Sequence, residues 1–145
     1  MNFRKVHSFC PAGQQSVRNL RFFDEKCRCR GGVECRNKFG NKAFRGFLQK
    51  GYKAFPVHPI ETEVEGHPAF RSIRELPERP DIVTIYVAPP VLLKLLPEIA
   101  EKGCDELWLN PGTVTQEVLS KATELGLKPV QLCSIIAIGL SPSSL

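Results

Sequence analysis

Three short segments of the sequence combine turn-forming residues with polar groups that can hold a ligand. They are His58-Pro59, Ala88-Pro89-Pro90 and Asn110-Pro111-Gly112-Thr113, and each follows a mainly apolar stretch. Imidazole, amide and hydroxyl groups form hydrogen bonds with a bound molecule, while proline and glycine fix the turns that present them. A single segment of this kind is more often an ordinary turn. Three at equivalent places in a repeating pattern favour a binding site.

The elements that must position these residues alternate between strands and helices. Strands are predicted at 52–57, 81–87, 106–109 and 128–132, and helices at 41–50, 72–76, 89–102 and 115–125. Residues 81–87 are almost continuously apolar, as in a strand that is covered on both faces. The alternation predicts an α/β fold with a parallel, doubly wound sheet. Ligands bind beyond the carboxyl ends of the strands in such sheets, which is where the three segments lie.

Cap and turn residues mark the ends of these elements. The predicted helix N-caps are Asn41, Ser72 and Thr115, because each carries a short polar side chain ahead of a helical pattern. Pro89 and Pro90 end one strand and open the next helix. Residues 62–70 are predicted as an irregular excursion that turns at Gly66, and residues 135–138 as a short extended piece.

The net charge of +5 is concentrated in the first quarter of the chain. Residues 1–36 contain eight Lys/Arg and three Asp/Glu, whereas residues 37–145 contain twelve of each. The larger part is therefore neutral, which argues against nucleic acid as a partner. No apolar run reaches the roughly 18 residues that a membrane helix needs, and the first ten residues make a poor signal peptide. We expect a cytoplasmic protein without a membrane or nucleic-acid partner.

Motifs along most of the chain resemble the CoA-binding domain family. They are Lys38-Phe39-Gly40-Asn41-Lys42-Ala43, Gly51-Tyr52, Pro56-Val57-His58-Pro59, Glu65-Gly66, Tyr86-Val87-Ala88-Pro89-Pro90, Glu106-Leu107-Trp108-Leu109-Asn110-Pro111-Gly112 and Cys133-Ser134. The family is similar to the CoA-binding domain of the succinyl-CoA ligase alpha subunit. The resemblance implies a Rossmann-like, three-layer fold that binds coenzyme A across the carboxyl ends of its strands.

The resemblance also implies a role for particular residues. It places Lys38 and Asn41 beside the diphosphate at the start of the first helix, where backbone amides and a cationic side chain suit an anion. It places His58 and Pro59 by the adenosine end. It implies an apolar lip along the nucleotide, formed by Val87, Ala88 and Pro89, and a far side closed by Asn110 and Gly112.

Residues 27–36 depart from the family. The family begins with an apolar strand that runs into a Gly-Ala-Ser-like phosphate loop, but this segment reads Cys-Arg-Cys-Arg-Gly-Gly-Val-Glu-Cys-Arg. A buried central strand cannot hold three arginines, because desolvating their charges is prohibitively costly. The glycine pair alone is a weak phosphate-loop signal. We therefore expect the first strand and the phosphate loop to be missing or disrupted.

Our hypothesis is that a shift of the reading frame by one nucleotide, from before Cys27 to about Arg36, accounts for this departure. If the arginines have CGN codons, the shifted frame can encode Val-Ala-Val-Val-Val-Gly-Ser-Asn-Ala, an apolar strand followed by a turn of small residues. We interpret residues 1–36 as an atypical, basic, Cys-rich segment that is disordered or frameshifted. Residues 37–145 are then the CoA-binding domain.

Two other functions fit parts of the same sequence. In one, His7, Cys10, Cys27, Cys29 and Cys35 bind zinc and the basic residues contact nucleic acid, but the segment has no Cys-x-x-Cys pair. In the other, the sheet binds NAD(P) in an oxidoreductase, but Gly-x-Gly-x-x-Gly is absent and the second strand ends without an acidic residue. Both remain alternatives.

Cysteine chemistry is the last option that the sequence offers. Cys104 and Cys133 lie in apolar segments, where cysteines more often pack in the core, and no base is identifiable near them. A mixed disulfide between Cys133 and the CoA thiol is conceivable. We predict a binding module and not an enzyme, with coenzyme A or an acyl-CoA as its ligand. A homodimer or an enzyme that uses acyl-CoA is the expected protein partner.

Overall fold

The computed structural model describes residues 19–23 and 38–145, which form an α/β domain. Its strands are β1 (Asn19–Phe23), β2 (Lys53–Val57), β3 (Glu63–Val64), β4 (His67–Pro68), β5 (Ile82–Ile85), β6 (Glu106–Leu109) and β7 (Pro129–Gln131). Its α-helices are α1 (Phe39–Gln49), α2 (Pro89–Lys102), α3 (Gln116–Glu124) and α4 (Ser134–Ala137). Short 3-10 helices lie at Ile73–Glu75 and Pro142–Ser144.

Five strands form one parallel sheet in the order β2-β1-β5-β6-β7, which confirms the predicted doubly wound topology. The chain builds outward in one direction from β1 to β2 and in the other from β5 to β7. The order therefore reverses between β1 and β5. A sheet of this kind opens a crevice at that point, beyond the carboxyl ends of the strands.

Helices cover both faces of the sheet, as three layers require. On one face, Val83, Ile85, Leu107 and Leu109 pack with α2 and α3, whose Leu92, Leu96, Ile99, Val118 and Ala122 are fully buried. On the other face, Ile82 and Trp108 pack with Ala43, Phe44 and Phe47 of α1 and Ile135 of α4. Neighbouring strand residues alternate between the two clusters because side chains of a strand point to opposite faces. Each large buried aliphatic side chain contributes about 1.5–3 kcal/mol.

The centre of the sheet is occupied. Asn19–Phe23 pairs with β2 on one side and with β5 on the other, with Phe23 opposite Val57 and Ile85. The sequence predicts no usable first strand, so this strand corrects that expectation. Residues 24–37 lie outside the described part of the chain. The predicted division near residue 37 and the shifted reading frame of residues 27–36 therefore stay predictions.

Most of the other elements match their predictions. Ser72 and Thr115 accept hydrogen bonds from the backbone nitrogens of Arg74 and Val118, which confirms both as N-caps. Pro89 opens α2 as expected. The turn at Gly66 is confirmed, with φ +78°, and joins β3 and β4 into a small antiparallel hairpin where the sequence indicates only irregular structure.

Two local predictions are wrong. The N-cap of α1 is Lys38 and not Asn41, because the hydrogen bond from the Lys42 nitrogen to the Lys38 carbonyl already closes the first turn, at 3.0 Å. Residues 135–138 are not extended. Their first residues lie in α4, where the Ala137 nitrogen donates to the Cys133 carbonyl at 2.9 Å. A run of four apolar residues has no period to distinguish a helical turn from a strand.

Candidate functional site

A cleft of about 490 Å³ lies at the carboxyl edge of the sheet, where the strand order reverses. It is bounded by the start of α1, by the segment after β5, by the segment after β6 and by the residue ahead of α4. Its lining residues are Lys38, Phe39, Gly40, Tyr86, Val87, Ala88, Asn110, Pro111, Gly112, Thr113 and Cys133. The cleft thus combines residues from three separate stretches of sequence with Cys133.

The start of α1 forms one wall of the cleft. Lys38, Phe39 and Gly40 line it, and Gly40 is buried there. The side chain of the N-cap residue, Lys38, makes no cap hydrogen bond, and the first turn of the helix contains no acidic residue. The free N–H groups and the helix dipole give this end a partial positive charge. Together with the Lys38 ammonium group, this wall favours an anionic ligand.

The segment after β5 forms an apolar wall. Tyr86, Val87 and Ala88 line the cleft, and Val87 is buried. Ala88 has an extended backbone, and its carbonyl accepts from the nitrogens of Val91 and Leu92, both at 3.0 Å. The first turn of α2 therefore fixes where this wall ends. Pro89 is the first residue of that helix and is not among the lining residues.

A buried amide holds the floor of the cleft together. The Asn110 side chain is 2% exposed, and its Nδ2 donates to Thr84 Oγ1 and to the Ile85 carbonyl, both at 2.8 Å. Its Oδ1 accepts from the nitrogen of Ser134 at 2.8 Å and from the Ser134 hydroxyl at 2.6 Å. All four hydrogen-bonding positions of the amide are used within the protein. The Asn110 side chain therefore joins β5, β6 and α4.

The hydroxyl groups around Asn110 have one consistent proton arrangement. The Ser134 hydroxyl donates its proton to Asn110 Oδ1, so it accepts from Thr84 Oγ1 at 2.6 Å and from the Tyr86 hydroxyl at 3.2 Å. Thr84 Oγ1 in turn accepts from Asn110 Nδ2. Such a satisfied network rigidifies its surroundings. It holds the Tyr86 ring, which lines the cleft, to the first residue of α4.

The turn after β6 brings backbone to the cleft surface. Thr113 donates to the Asn110 carbonyl with its nitrogen at 3.1 Å and with its hydroxyl at 2.7 Å, which closes the turn. Gly112 has φ +88°, a conformation that other residues rarely adopt. A Cβ atom placed there would have no heavy atom within 4 Å. The Gly112 backbone is therefore open to close approach by a ligand.

His58 forms a turn instead of lining the cleft. Its ring is 3% exposed, and its Nδ1 accepts from the nitrogens of Ile60 and Glu61 at 3.1 and 2.9 Å. The imidazole thus fixes the bend that follows β2. Pro59 is exposed in the same bend and is not among the cleft residues.

Asn41 also lies outside the cleft lining. Its Nδ2 donates to Glu65 Oε1 at 3.1 Å, and its Oδ1 accepts from Arg45 Nε at 2.9 Å. The side chain therefore links α1 to the β3–β4 hairpin.

The cleft brings together five of the predicted site residues, namely Lys38, Val87, Ala88, Asn110 and Gly112. Sequence reasoning missed Phe39, Gly40 and Tyr86 as lining residues, although each adjoins a predicted one. It named Pro111 and Thr113 only as parts of a candidate segment, and Cys133 only as a conceivable partner of the CoA thiol. It also missed Ser134, the partner of Asn110. An isolated serine 24 residues further along the chain carries no signal of that contact.

The described residues offer neither a metal centre nor a membrane span. Within residues 19–23 and 38–145, no group of three or more His, Cys, Asp or Glu side chains could hold a metal ion. No helix in this part of the chain is both long and apolar enough to cross a membrane. The residues of the zinc alternative, His7 and Cys10 among them, lie outside the described part.

Comparison with known proteins gives a family and a fold. A sequence model described as the CoA binding domain matches residues 30–139. The alpha subunit of an ADP-forming acetate–CoA ligase II from Pyrococcus furiosus is 34% identical over 67 residues. That match covers 46% of this chain but only 15% of the ligase subunit.

Solved structures agree with the fold. A conserved hypothetical protein of Pyrococcus furiosus superimposes with a TM-score of 0.67 at 29% identity, over 79% of this chain and 92% of that one. A Thermus thermophilus protein superimposes with a TM-score of 0.70 at 22% identity, over 84% of this chain and 87% of that one. A dinucleotide-forming acetyl-coenzyme A synthetase of Ca. Korarchaeum cryptofilum gives 0.61 at 17% identity, where the match covers 77% of this chain and 25% of the synthetase.

Proposed function

Because the chain belongs to the CoA binding domain family, we propose that its cleft binds coenzyme A or an acyl-CoA and carries out no reaction by itself. The observation that carries this proposal is the position of the cleft. It lies where the strand order reverses, with the start of α1 on one side and apolar residues on the other. CoA has an anionic diphosphate between an adenosine and an uncharged arm with apolar stretches, so both kinds of surface suit it.

The diphosphate is proposed to lie against the start of α1. Among the residues that the structure describes, Lys38 is the only charged one that lines the cleft, so no carboxylate in this part of the lining opposes an anion. Two or more backbone N–H groups at the helix start can donate to phosphate oxygens. Gly40 has no side chain to keep a phosphate away from these amides. Asn41 is proposed to lie next to this site and to act on it through its hydrogen bonds to Glu65 and Arg45.

The pantetheine arm is proposed to follow the cleft past Val87 and Ala88 toward Gly112. These residues supply an apolar wall and an open stretch of backbone. The adenosine then extends the other way, toward the bend after β2. Pro59 is exposed there, and His58 holds the bend in shape. Pro89 contributes by fixing the start of α2.

A binding role without catalysis rests on the chemistry of the lining. Among the described residues, the titratable groups that line the cleft are Lys38, Tyr86 and Cys133. Acid–base catalysis needs a pair such as histidine and carboxylate within hydrogen-bond reach of the reacting atoms. The Tyr86 hydroxyl donates to Ser134, so it serves the buried network. This lining favours holding a ligand over transforming it.

The NAD(P) alternative is less well supported. A ribose needs an acidic acceptor at the end of the second strand. The corresponding position is His58, whose ring nitrogen is used by the turn.

The chain matches only part of the ligase and synthetase relatives, so we propose that any reaction of the bound CoA takes place on a partner enzyme or in a homodimer. The cytoplasmic location stays a prediction.

The direct test is titration calorimetry of the full chain with CoA, acetyl-CoA, NAD and zinc. We expect CoA and acetyl-CoA to bind and to raise thermal stability. A ligand at 100 times its Kd adds about 2.7 kcal/mol. Binding of NAD but not of CoA would overturn the proposal. Binding of zinc alone would favour the N-terminal alternative.

A matched pair of charge reversals tests where the diphosphate lies. Lys38→Glu should raise the Kd for CoA by about tenfold or more, since it replaces a cation at the helix start by an anion. Lys50→Glu, at the other end of α1, should leave the Kd unchanged. Equal effects of the two variants would indicate only a general response to net charge.

A further inference from the structure

Phe39 is an exposed aromatic residue in an unusual position. It is the first residue of α1, its side chain is 60% exposed, and it lines the cleft. The other large hydrophobic residues exposed in the described part, Ile60 and Ile136, do not line the cleft. An aromatic ring is the side chain that gains most from being covered by an apolar group. Phe39 is therefore placed to contact a ligand at the helix start.

The chemistry of the ligand decides which part Phe39 can meet. This step rests on the proposed binding of the CoA diphosphate at the start of α1. In CoA the pantoyl carbon with two methyl groups is joined to the phosphate through one methylene and one oxygen. That branched apolar unit must therefore lie beside the amides that hold the diphosphate. Phe39 supplies one of those amides and also the adjacent ring.

We propose that the Phe39 ring covers the dimethyl unit of the pantoyl group and thereby makes the cleft selective for CoA over other ADP-containing nucleotides. The unit would lie between Phe39 and the apolar wall of Val87 and Ala88. In NAD a ribose follows the second phosphate at the same place. Its hydroxyl groups gain little from an aromatic wall and lose hydrogen bonds to water. Phe39 is thus a specificity-determining residue.

The test compares CoA with a ligand that lacks the pantetheine arm and ends in a free phosphate. Titration calorimetry of the full chain is carried out with CoA and with 3′-phospho-ADP, for the wild type, Phe39→Ala, Phe39→Leu and Ile136→Ala. Ile136 is 64% exposed and lies outside the cleft, so it is the matched control. Thermal unfolding of each variant confirms that it is folded. An exposed position should tolerate these changes.

We expect Phe39→Ala to raise the Kd for CoA by about tenfold, equivalent to about 1.4 kcal/mol, and to leave that for 3′-phospho-ADP unchanged. The Kd of Phe39→Leu for CoA should lie between those of the wild type and Phe39→Ala. The Kd of Ile136→Ala for CoA should equal that of the wild type. The inference is overturned if the wild type binds CoA and Phe39→Ala binds it equally well. It is also overturned if the alanine variant weakens both ligands alike. A wild type that does not bind CoA overturns the proposed function itself.

Discussion

The Oδ1 atom of Asn110 accepts two hydrogen bonds from Ser134, one from its backbone nitrogen at 2.8 Å and one from its hydroxyl at 2.6 Å. One amide therefore fixes both the start of α4 and the proton of a buried hydroxyl. Because Tyr86 donates to the same hydroxyl, the contact also orients a ring that lines the cleft. A buried side chain therefore holds in place the segments that line the cleft.

We expect Asn110→Ala to lower the free energy of unfolding by about 2–4 kcal/mol, because it leaves several buried donors and acceptors without partners. Asn41→Ala is the matched control, since the Asn41 side chain also makes two side-chain hydrogen bonds but is not buried. Its cost should be about 1 kcal/mol or less. Urea unfolding of the two variants checks the difference. Similar losses in both would mean that burial of the network contributes nothing.

His58→Ala should destabilise the protein by about 1–3 kcal/mol, because it empties a buried site and removes the acceptor for two backbone N–H groups. His58→Asn should retain much of the stability, since the asparagine Oδ1 can accept hydrogen bonds from the following backbone as an Asx turn does. The measurement is thermal unfolding of both variants beside the wild type. If asparagine is as damaging as alanine, the role of Nδ1 as the acceptor in this turn is wrong.

Gly112→Ala and Gly51→Ala share the same backbone strain, with φ +88° and +80°, and neither new Cβ would have an atom within 4 Å. Each should cost about 1 kcal/mol of stability. Only Gly112 lines the cleft, so only its substitution should weaken CoA binding. Calorimetric titration with CoA separates the two effects. Equal CoA affinity in the two variants would place the ligand away from Gly112.

Burial of Cys104 raises the pKa of its thiol from 9.0 to about 11, while Arg79 lowers it and Asp105 and Glu106 raise it. The folded state therefore keeps a proton that the unfolded state loses above pH 9. The contribution of the neutral thiol to the free energy of unfolding is therefore fully present below pH 9, and it is lost as the pH rises toward 11.

Denaturant unfolding of the wild type and of Cys104→Ala between pH 8 and pH 11 tests this titration. The difference in unfolding free energy between them should shrink as the pH rises, since the variant has no thiol at this site to titrate. Groups common to both proteins cancel in the comparison. A difference that stays constant over this range would contradict a raised pKa.

Much of the fold follows from local patterns. Three features can each be predicted from a few neighbouring residues, and the structure confirms all three. They are the apolar strand at Ile82–Ile85, the Thr115 cap and the helix start at Pro89. These signals are local because hydrogen bonds of caps and the period of a buried face depend on residues close in sequence. Strand β1 is different, since Asn-Leu-Arg-Phe-Phe has no clear strand pattern. Its position between β2 and β5 is set by pairing with residues more than 30 positions away.

By itself, the sequence determined the alternating α/β pattern and the family motifs, and it predicted a ligand site at the carboxyl edge of the sheet. The tertiary structure alone decided which predicted residues face the cleft. In the sequence, His58 and Asn110 are polar residues in predicted turns, and Asn41 is a polar residue at a predicted helix start. The three side chains have different surroundings in the folded protein. A buried polar group must find hydrogen-bond partners, and packing decides which groups are within reach. For Asn110 the partners are Thr84, Ile85 and Ser134, which only folding brings together.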